Sequence, residues 1–283
     1  MDRIIVVNKP KGITSRDVVN KACKLLNTKK IGHTGTLDPI ATGVLVLCVG
    51  KATKLVEVLT KNDKEYIATV KLGILTDTLD TDGTIIEKKQ ASLDKNELEN
   101  VLKSFIGMYN QEVPIYSAVK INGKKLYEYA REKKEVTLPK RMVEIKDIKL
   151  LELNNNYYKF KVSVSKGTYI RSLIKDINEK LRVIGVMSDL IRTRQGKFLI
   201  NDSNSLEDME NGNYNVLTIT DVLKDENCVI IDSTLFKKVK NGAIINNKYN
   251  TDMVTFIYKD NVIAIYKTYD KDKNKMKPYK MFI

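Results

Sequence analysis

Residues 32–43 read GHTGTLDPIATG and place one carboxylate, Asp38, among three glycines and the chain's only histidine, His33. A carboxylate can act as a nucleophile that later leaves, or as a general acid or base. Pro39 biases Asp38 away from helix, and Gly32, Gly35 and Gly43 allow sharp turns and close approach of a ligand. Such a loop can hold a carboxylate at the floor of a cleft. An Asp-Pro pair in a loop is more often a turn than a catalyst, so the loop alone favours the turn reading. Two other chemistries fit less well. Gly50-Lys51 resembles the end of a phosphate-binding loop, but Leu45 stands where that motif needs glycine and Ala52 where it needs Ser or Thr. The acidic stretch TDTLDTDG at 76–83 lacks the spacing and terminal glutamate of a calcium loop and reads as a capped turn. Cys23, Cys48 and Cys228 are isolated, which argues against a zinc site or a disulfide framework.

The elements around that loop follow from local pattern. Arg3–Val7 is β-branched and reads as a buried strand. Ser15 is a candidate N-cap for a helix running to about Leu26. Val44–Val49 is an apolar strand followed by a helix from about Ala52. Lys64–Leu72 alternates as a half-buried strand. Ser92–Ile106 is amphipathic and is stopped by Gly107. Asn122-Gly123 marks a hairpin within 119–125. Arg141–Leu153 and Tyr157–Val164 flank an Asn-rich turn as a second hairpin. Thr168–Leu181 reads as helix. Strands and helices alternate without regular βαβ spacing, which predicts an α+β fold with a mixed, largely antiparallel sheet flanked by helices. Residues 222–229 look like a boundary. The short β-like runs 243–245, 253–258 and 262–266, with a charged tip at 271–275, predict a small all-β appendage.

Composition sets the wider limits. The 283 residues are 42 % hydrophobic and 30 % charged, an ordinary globular balance. No apolar run approaches the length of a membrane span, and residues 1–10 carry no cleavage-site pattern. A cytoplasmic protein without membrane attachment is the expectation. The formal net charge of +14 favours a polyanionic partner, nucleic acid first.

The full wording of GHTGTLDPIATGVLVLCVGKATK resembles the catalytic motif of the TruB family of tRNA pseudouridine synthases. NKPKGITSRDVVNK (8–21), KEYIATVKLGILTDTLDTDG (64–83), VPIYSAVKINGKKLYEYAR (113–131), SKGTYIRSL (165–173) and LIRTRQGKF (190–198) are similar to that family's other motifs, in the same order. The resemblance covers about residues 3–200. Val113 stands where the family often has the first of two prolines, and INEKL follows Asp176 where Leu-Gly is commoner.

The resemblance implies the pseudouridine synthase fold and an isomerase that detaches a uracil from its ribose, rotates it and rejoins it through carbon. Its usual target is uridine 55 in the T arm of tRNA, and it needs no cofactor and no metal. Asp38 matches the essential aspartate, and Arg171 the arginine that pairs with and orients it. Tyr66 matches the tyrosine that stacks on the flipped base, with a phenol also suited to proton transfer at C5. Tyr169 matches a second pocket tyrosine, and Leu190 an apolar cover for the base. His33 is implied to contact the RNA rather than to act as base, and Lys9 and Pro10 to buttress the loop. Residues 1–226 then form the catalytic domain and 227–283 a small β-rich PUA-like RNA-binding module. The basic cluster Lys120, Lys124, Lys125, Arg131, Lys133 and Lys134 is a candidate cradle for the T arm. A stand-alone monomer with no obligatory protein partner is favoured over a relative working inside a guide-RNA particle. The alternative class is a tRNA-folding factor that binds RNA without catalysis.

Overall fold

Two differently buried halves of one sheet organise the chain. The computed structural model describes residues 2–224 and 226–283; Asp225, inside the boundary expected at 222–229, lies outside them. β1 (Arg3–Lys9) leads through α1 (Ser15–Leu25) and the short β2 (Ile31–His33) to β3 (Thr42–Val49). A 3-10 segment at Gly50–Leu55 and α2 (Val56–Thr60) stand where the sequence suggests one helix. β4 (Lys64–Leu72) follows, then a small separate hairpin of β5 (Ile74–Thr76) and β6 (Ile85–Lys88). α3 (Lys95–Lys103) is shorter than the predicted 92–106. Asp94 caps it by accepting from Glu97 N, and its C-cap is Ser104, so Gly107 opens the next strand instead of ending the helix.

That strand is β7 (Gly107–Glu112). β8 (Lys120–Ile121) and β9 (Lys124–Lys125) form the hairpin announced by Asn122-Gly123, both with positive φ as a type I′ turn requires. α4 (Leu126–Arg131) continues this arm. β10 (Lys140–Leu153) and β11 (Tyr157–Val164) are the second predicted hairpin, and α5 (Ile170–Lys180) the helix after it. β12 (Gly185–Gln195), β13 (Phe198–Leu199), α6 (Leu206–Glu210) and α7 (Ile219–Leu223) complete this part of the fold.

The main sheet has nine strands, in the order β1-β3-β12-β4-β11-β10-β7 with β2 and β13 alongside. All its pairings are antiparallel except β3–β12, so the α+β, largely antiparallel expectation is correct. β1 and β3 are buried on both faces, which explains their continuous apolar runs. Ile4, Val6, Val44 and Val46 pack towards α7, while Ile5, Val7, Leu45 and Leu47 pack towards α1 and α6. β4 alternates because one face meets α3 and α5 and the other does not. The parallel contact depends on Gly43, at φ +99°. A Cβ there would lie 2.3 Å from the Arg192 carbonyl oxygen.

Beyond residue 226 a second, five-stranded sheet runs β14-β16-β17-β18-β15. Its strands are β14 (Cys228–Ile230), β15 (Ile245–Asn246), β16 (Met253–Tyr258), β17 (Asn261–Tyr269) and β18 (Asp272–Met281). The all-β expectation needs correcting, because α8 (Ser233–Lys240) packs on this sheet. Leu235 and Val239 are four apart, a helical spacing, and Asp232 caps the helix. The predicted charged tip at 271–275 is largely strand β18. Val262, Ile265 and Phe282 join the apolar cluster of Leu55, Leu59 and Val222, so the two sheets share a core. No helix among the described residues is long and apolar enough to cross a membrane.

Candidate active site

Asp38 sits on a loop fixed from three sides. The helix α1 is capped by Thr14 in a capping box with Asp17, not by Ser15 as the sequence suggests. Ser15 is buried, and its hydroxyl accepts from Leu37 N at 2.9 Å and donates to Leu37 O at 3.2 Å. From β1, the buried Lys9 ammonium donates to the carbonyls of Pro10, Ile13 and Pro39 at 2.8, 2.7 and 3.3 Å, the buttress the sequence assigns it. Burial lowers the Lys9 pKa to about 8, although Asp38 favours its charged form. From β12, the fully buried Arg192 donates to Val44 O at 2.6 Å and Gly35 O at 3.0 Å. Gln195 adds bonds to the Thr34 carbonyl and hydroxyl at 3.2 and 2.5 Å.

Arg171 reaches Asp38 from α5. Its Nε donates to Asp38 Oδ2 at 2.9 Å and its Nη2 to Asp38 Oδ1 at 3.1 Å, the bidentate fork that sets both position and plane of a carboxylate. Nη1 donates to Thr78 O at 2.9 Å, and Nη2 donates also to Tyr116 O at 3.0 Å. The arginine side chain is 6 % exposed and the aspartate 34 %, so the carboxylate alone faces open space.

The acidic turn at 76–83 proves to be part of this site. Asp80 Oδ2 lies 3.8 Å from Arg171 Nε, while its Oδ1 accepts from the Thr78 hydroxyl and Asp82 N. Burial pushes the Asp80 carboxyl up from the usual carboxylate range, opposed by the Thr78 hydroxyl and Arg171. Asp77 caps the same turn and accepts from the Tyr116 hydroxyl at 3.2 Å. The sequence carried the signal, six acidic and hydroxyl residues at 76–82 before a glycine. It gave no hint that Arg171 lies behind them.

These groups open into a cavity of about 470 Å³, lined by Asp38, Tyr66, Tyr169, Arg171 and Leu190 together with Lys64, Tyr116, Tyr127 and Arg192. Five of the six site residues singled out by sequence therefore meet in one place. Tyr66 projects from β4 and Leu190 from β12, on neighbouring strands. His33 does not line the cavity. It ends β2 with its Nδ1 accepting from Gly35 N at 3.4 Å, and burial together with Arg16 and Arg192 lowers its pKa. Lys64, Arg192, Asp80 and Tyr116 are the site residues that sequence reasoning passed over. Lys64 Nζ donates to Thr60 O and Asn62 O, and burial lowers its pKa to about 8. All four lie inside quoted motifs, but lysine and arginine read as surface charge until their burial is known.

The arrangement is a pocket of drug-like size with four tyrosines, one oriented carboxylate and several cations in its lining. It suits an aromatic, anion-linked group such as a nucleotide base. The family description "TruB family pseudouridylate synthase (N terminal domain)" matches residues 23–170. The chain is 39 % identical to tRNA pseudouridine synthase B of Bacillus cytotoxicus, covering all of this chain and 98 % of that protein. It is 41 % identical to the protein of the same name in Bacillus subtilis, over 99 % and 97 %. Among solved structures it resembles an H/ACA ribonucleoprotein bound to a substrate RNA containing 2′-deoxyuridine, at TM-score 0.75 and 26 % identity, covering 99 % of this chain and 85 % of that one. A Cbf5–Nop10–Gar1 complex matches with TM-score 0.72 and 27 % identity, over 94 % and 78 %.

Proposed function

The chain belongs to the TruB family of pseudouridylate synthases, and from that premise we propose that it isomerises uridine 55 in the T arm of tRNA to pseudouridine. It is an isomerase acting on tRNA. The target base must leave the helical stack to be reached, at a cost of a few kcal/mol. The net charge of +14 suits the phosphate contacts that offset this cost. In the cavity, Tyr66 offers its ring face to the flipped uracil and Leu190 covers it. Tyr169 walls the side next to Arg171.

The reaction breaks C1′–N1 and makes C1′–C5. The hydrogen leaves C5, and N1 ends protonated, so no external reactant is consumed. Asp38 is the group that acts on the nucleotide. Arg171 keeps it aimed through two bonds and keeps it from folding back on the protein. The phenol of Tyr66 is placed to take part in proton transfer at C5. His33 meets the RNA at the rim of the loop, with burial favouring its neutral form. The single observation that carries the reading is the Asp38–Arg171 fork opening on a cavity with Tyr66 and Tyr169.

The five-stranded C-terminal sheet with α8 serves as the PUA-like RNA-binding module of a two-part chain, 1–226 and 227–283. The protein works as a stand-alone, cytoplasmic monomer. Unmodified tRNA transcript labelled at C5 of uridine tests the activity. The protein alone, without metal or nucleotide, is expected to release label, with the product mapped to the T arm. Tight tRNA binding without release would instead favour the tRNA-folding factor.

A further inference from the structure

Tyr169 enters the cavity from the start of α5, two residues before Arg171. It is the N-cap of that helix, extended at φ −99° and ψ 116°, and its own side chain makes no capping bond. One distant side chain takes both of its backbone groups instead. Gln111 Oε1 accepts from Tyr169 N at 2.7 Å, and Gln111 Nε2 donates to Tyr169 O at 3.0 Å. The amide thereby imitates a neighbouring strand. Gln111 is fully buried on β7, and the Tyr109 hydroxyl two residues earlier accepts from the same Nε2 at 2.5 Å. With both acceptors on the nitrogen side, only one orientation of the amide satisfies the network.

Arg141 stands directly opposite Gln111 in the β7–β10 register. Its guanidinium carbon lies 5.5 Å from the centroid of the Tyr169 ring, a cation–π distance. Gly167, at φ +84°, gives it passage: a Cβ there would be 3.3 Å from Arg141 Nη1. One ladder rung therefore holds Tyr169 twice, by backbone and by ring.

We propose that Gln111 and Arg141 are paired positioning residues for the isomerisation. The amide fixes the Tyr169 backbone and the first turn of α5, and the guanidinium fixes the plane of the ring. Together they set where Tyr169 and Arg171 meet the flipped nucleotide. Neither is a catalytic residue, since neither lines the cavity. This role depends on the proposed isomerase activity.

The test is single-turnover release of C5 label at saturating tRNA, with tRNA affinity and melting temperature measured on the same samples. Wild type, Gln111→Leu, Arg141→Met and Arg141→Lys are compared. A displacement of about 1 Å in a reacting group can cost on the order of 100-fold in rate. Gln111→Leu is expected to slow release by roughly 10- to 100-fold and Arg141→Met by roughly tenfold, with affinity nearly unchanged. Arg141→Lys recovers part of the loss by restoring a cation beside the ring. If Gln111→Leu does not fold, Arg141→Met, altered at a half-buried side chain, decides the matter. Wild-type rates per folded molecule in the variants would overturn the clamp and leave the isomerase reading intact. So would a loss confined to affinity. No release by wild type would overturn the isomerase reading itself, and the clamp with it.

Discussion

The pocket around Asp38 and the basic arm at 119–134 are built in opposite ways. In the pocket, bonds join residues far apart in the chain: Asp38 to Arg171, Thr78 to Arg171, Gly35 to Arg192. Each reactive group is held by two or more elements of the main fold. The arm is held mostly by its own neighbours. Tyr129 donates to Ile121 O, Lys125 N to Glu128, and Glu132 receives both Lys124 and Lys134. Lys124 lies over Tyr129, and Lys125 and Arg131 over Tyr127. Its two-stranded sheet is not part of the nine-stranded one. Groups that must meet at fixed angles are locked by tertiary structure. The basic arm, the candidate cradle for a polyanion, is folded mostly on itself.

The sharpest way to break this contrast is at the fork. Arg171→Lys keeps the charge but loses bidentate geometry. At saturating tRNA the turnover number is expected to fall on the order of 10²- to 10³-fold, with little change in affinity. The next effect is on stability. Gly43→Ala forces a Cβ against the Arg192 carbonyl at a positive φ and should cost about 3 kcal/mol, read from urea unfolding. In the arm the expected signature reverses. Lys120→Ala with Lys125→Ala should weaken tRNA binding and lower the salt slope by about 1 for each phosphate that is no longer neutralised, while the rate at saturation changes much less.

The smallest effect is in pH. Lys64 has its folded pKa lowered to about 8, below the ordinary lysine value near 10.4 in the unfolded chain. Between these values the unfolded state binds more protons, so this group makes stability rise with pH across that window. Cys48, pushed up to about 12 by burial, works in the opposite sense above about 8.5. The comparison is therefore with Lys64→Met, which shares Cys48. Wild type should gain stability relative to that variant between about pH 7.5 and about pH 9.5, measured by urea midpoint.

The same contrast explains what the sequence revealed. Local devices were legible: the Asn122-Gly123 turn, the 141–164 hairpin, and β4 with its period of two. What failed was tertiary or very short. Ser15 looks like a cap but pins Leu37, because the choice between Thr14 and Ser15 depends on where the Asp38 loop passes. The parallel β3–β12 pairing leaves only a glycine as its trace. α8 is too short for its periodicity to outweigh the strands around it. Asp38 and Arg171 lie 133 residues apart, and no spacing rule joins them. Only the resemblance to a family did, and Asp80 behind them was missed.

The central claim is that the carboxylate of Asp38, aimed by Arg171, performs the chemistry. Its most direct test is Asp38→Asn in single-turnover C5-label release from unmodified tRNA, with tRNA affinity measured alongside. The predicted result is no detectable release with binding at wild-type strength, since the amide keeps the shape but not the charge. Release at a rate near that of wild type would contradict the account and move the chemistry to another group in the pocket.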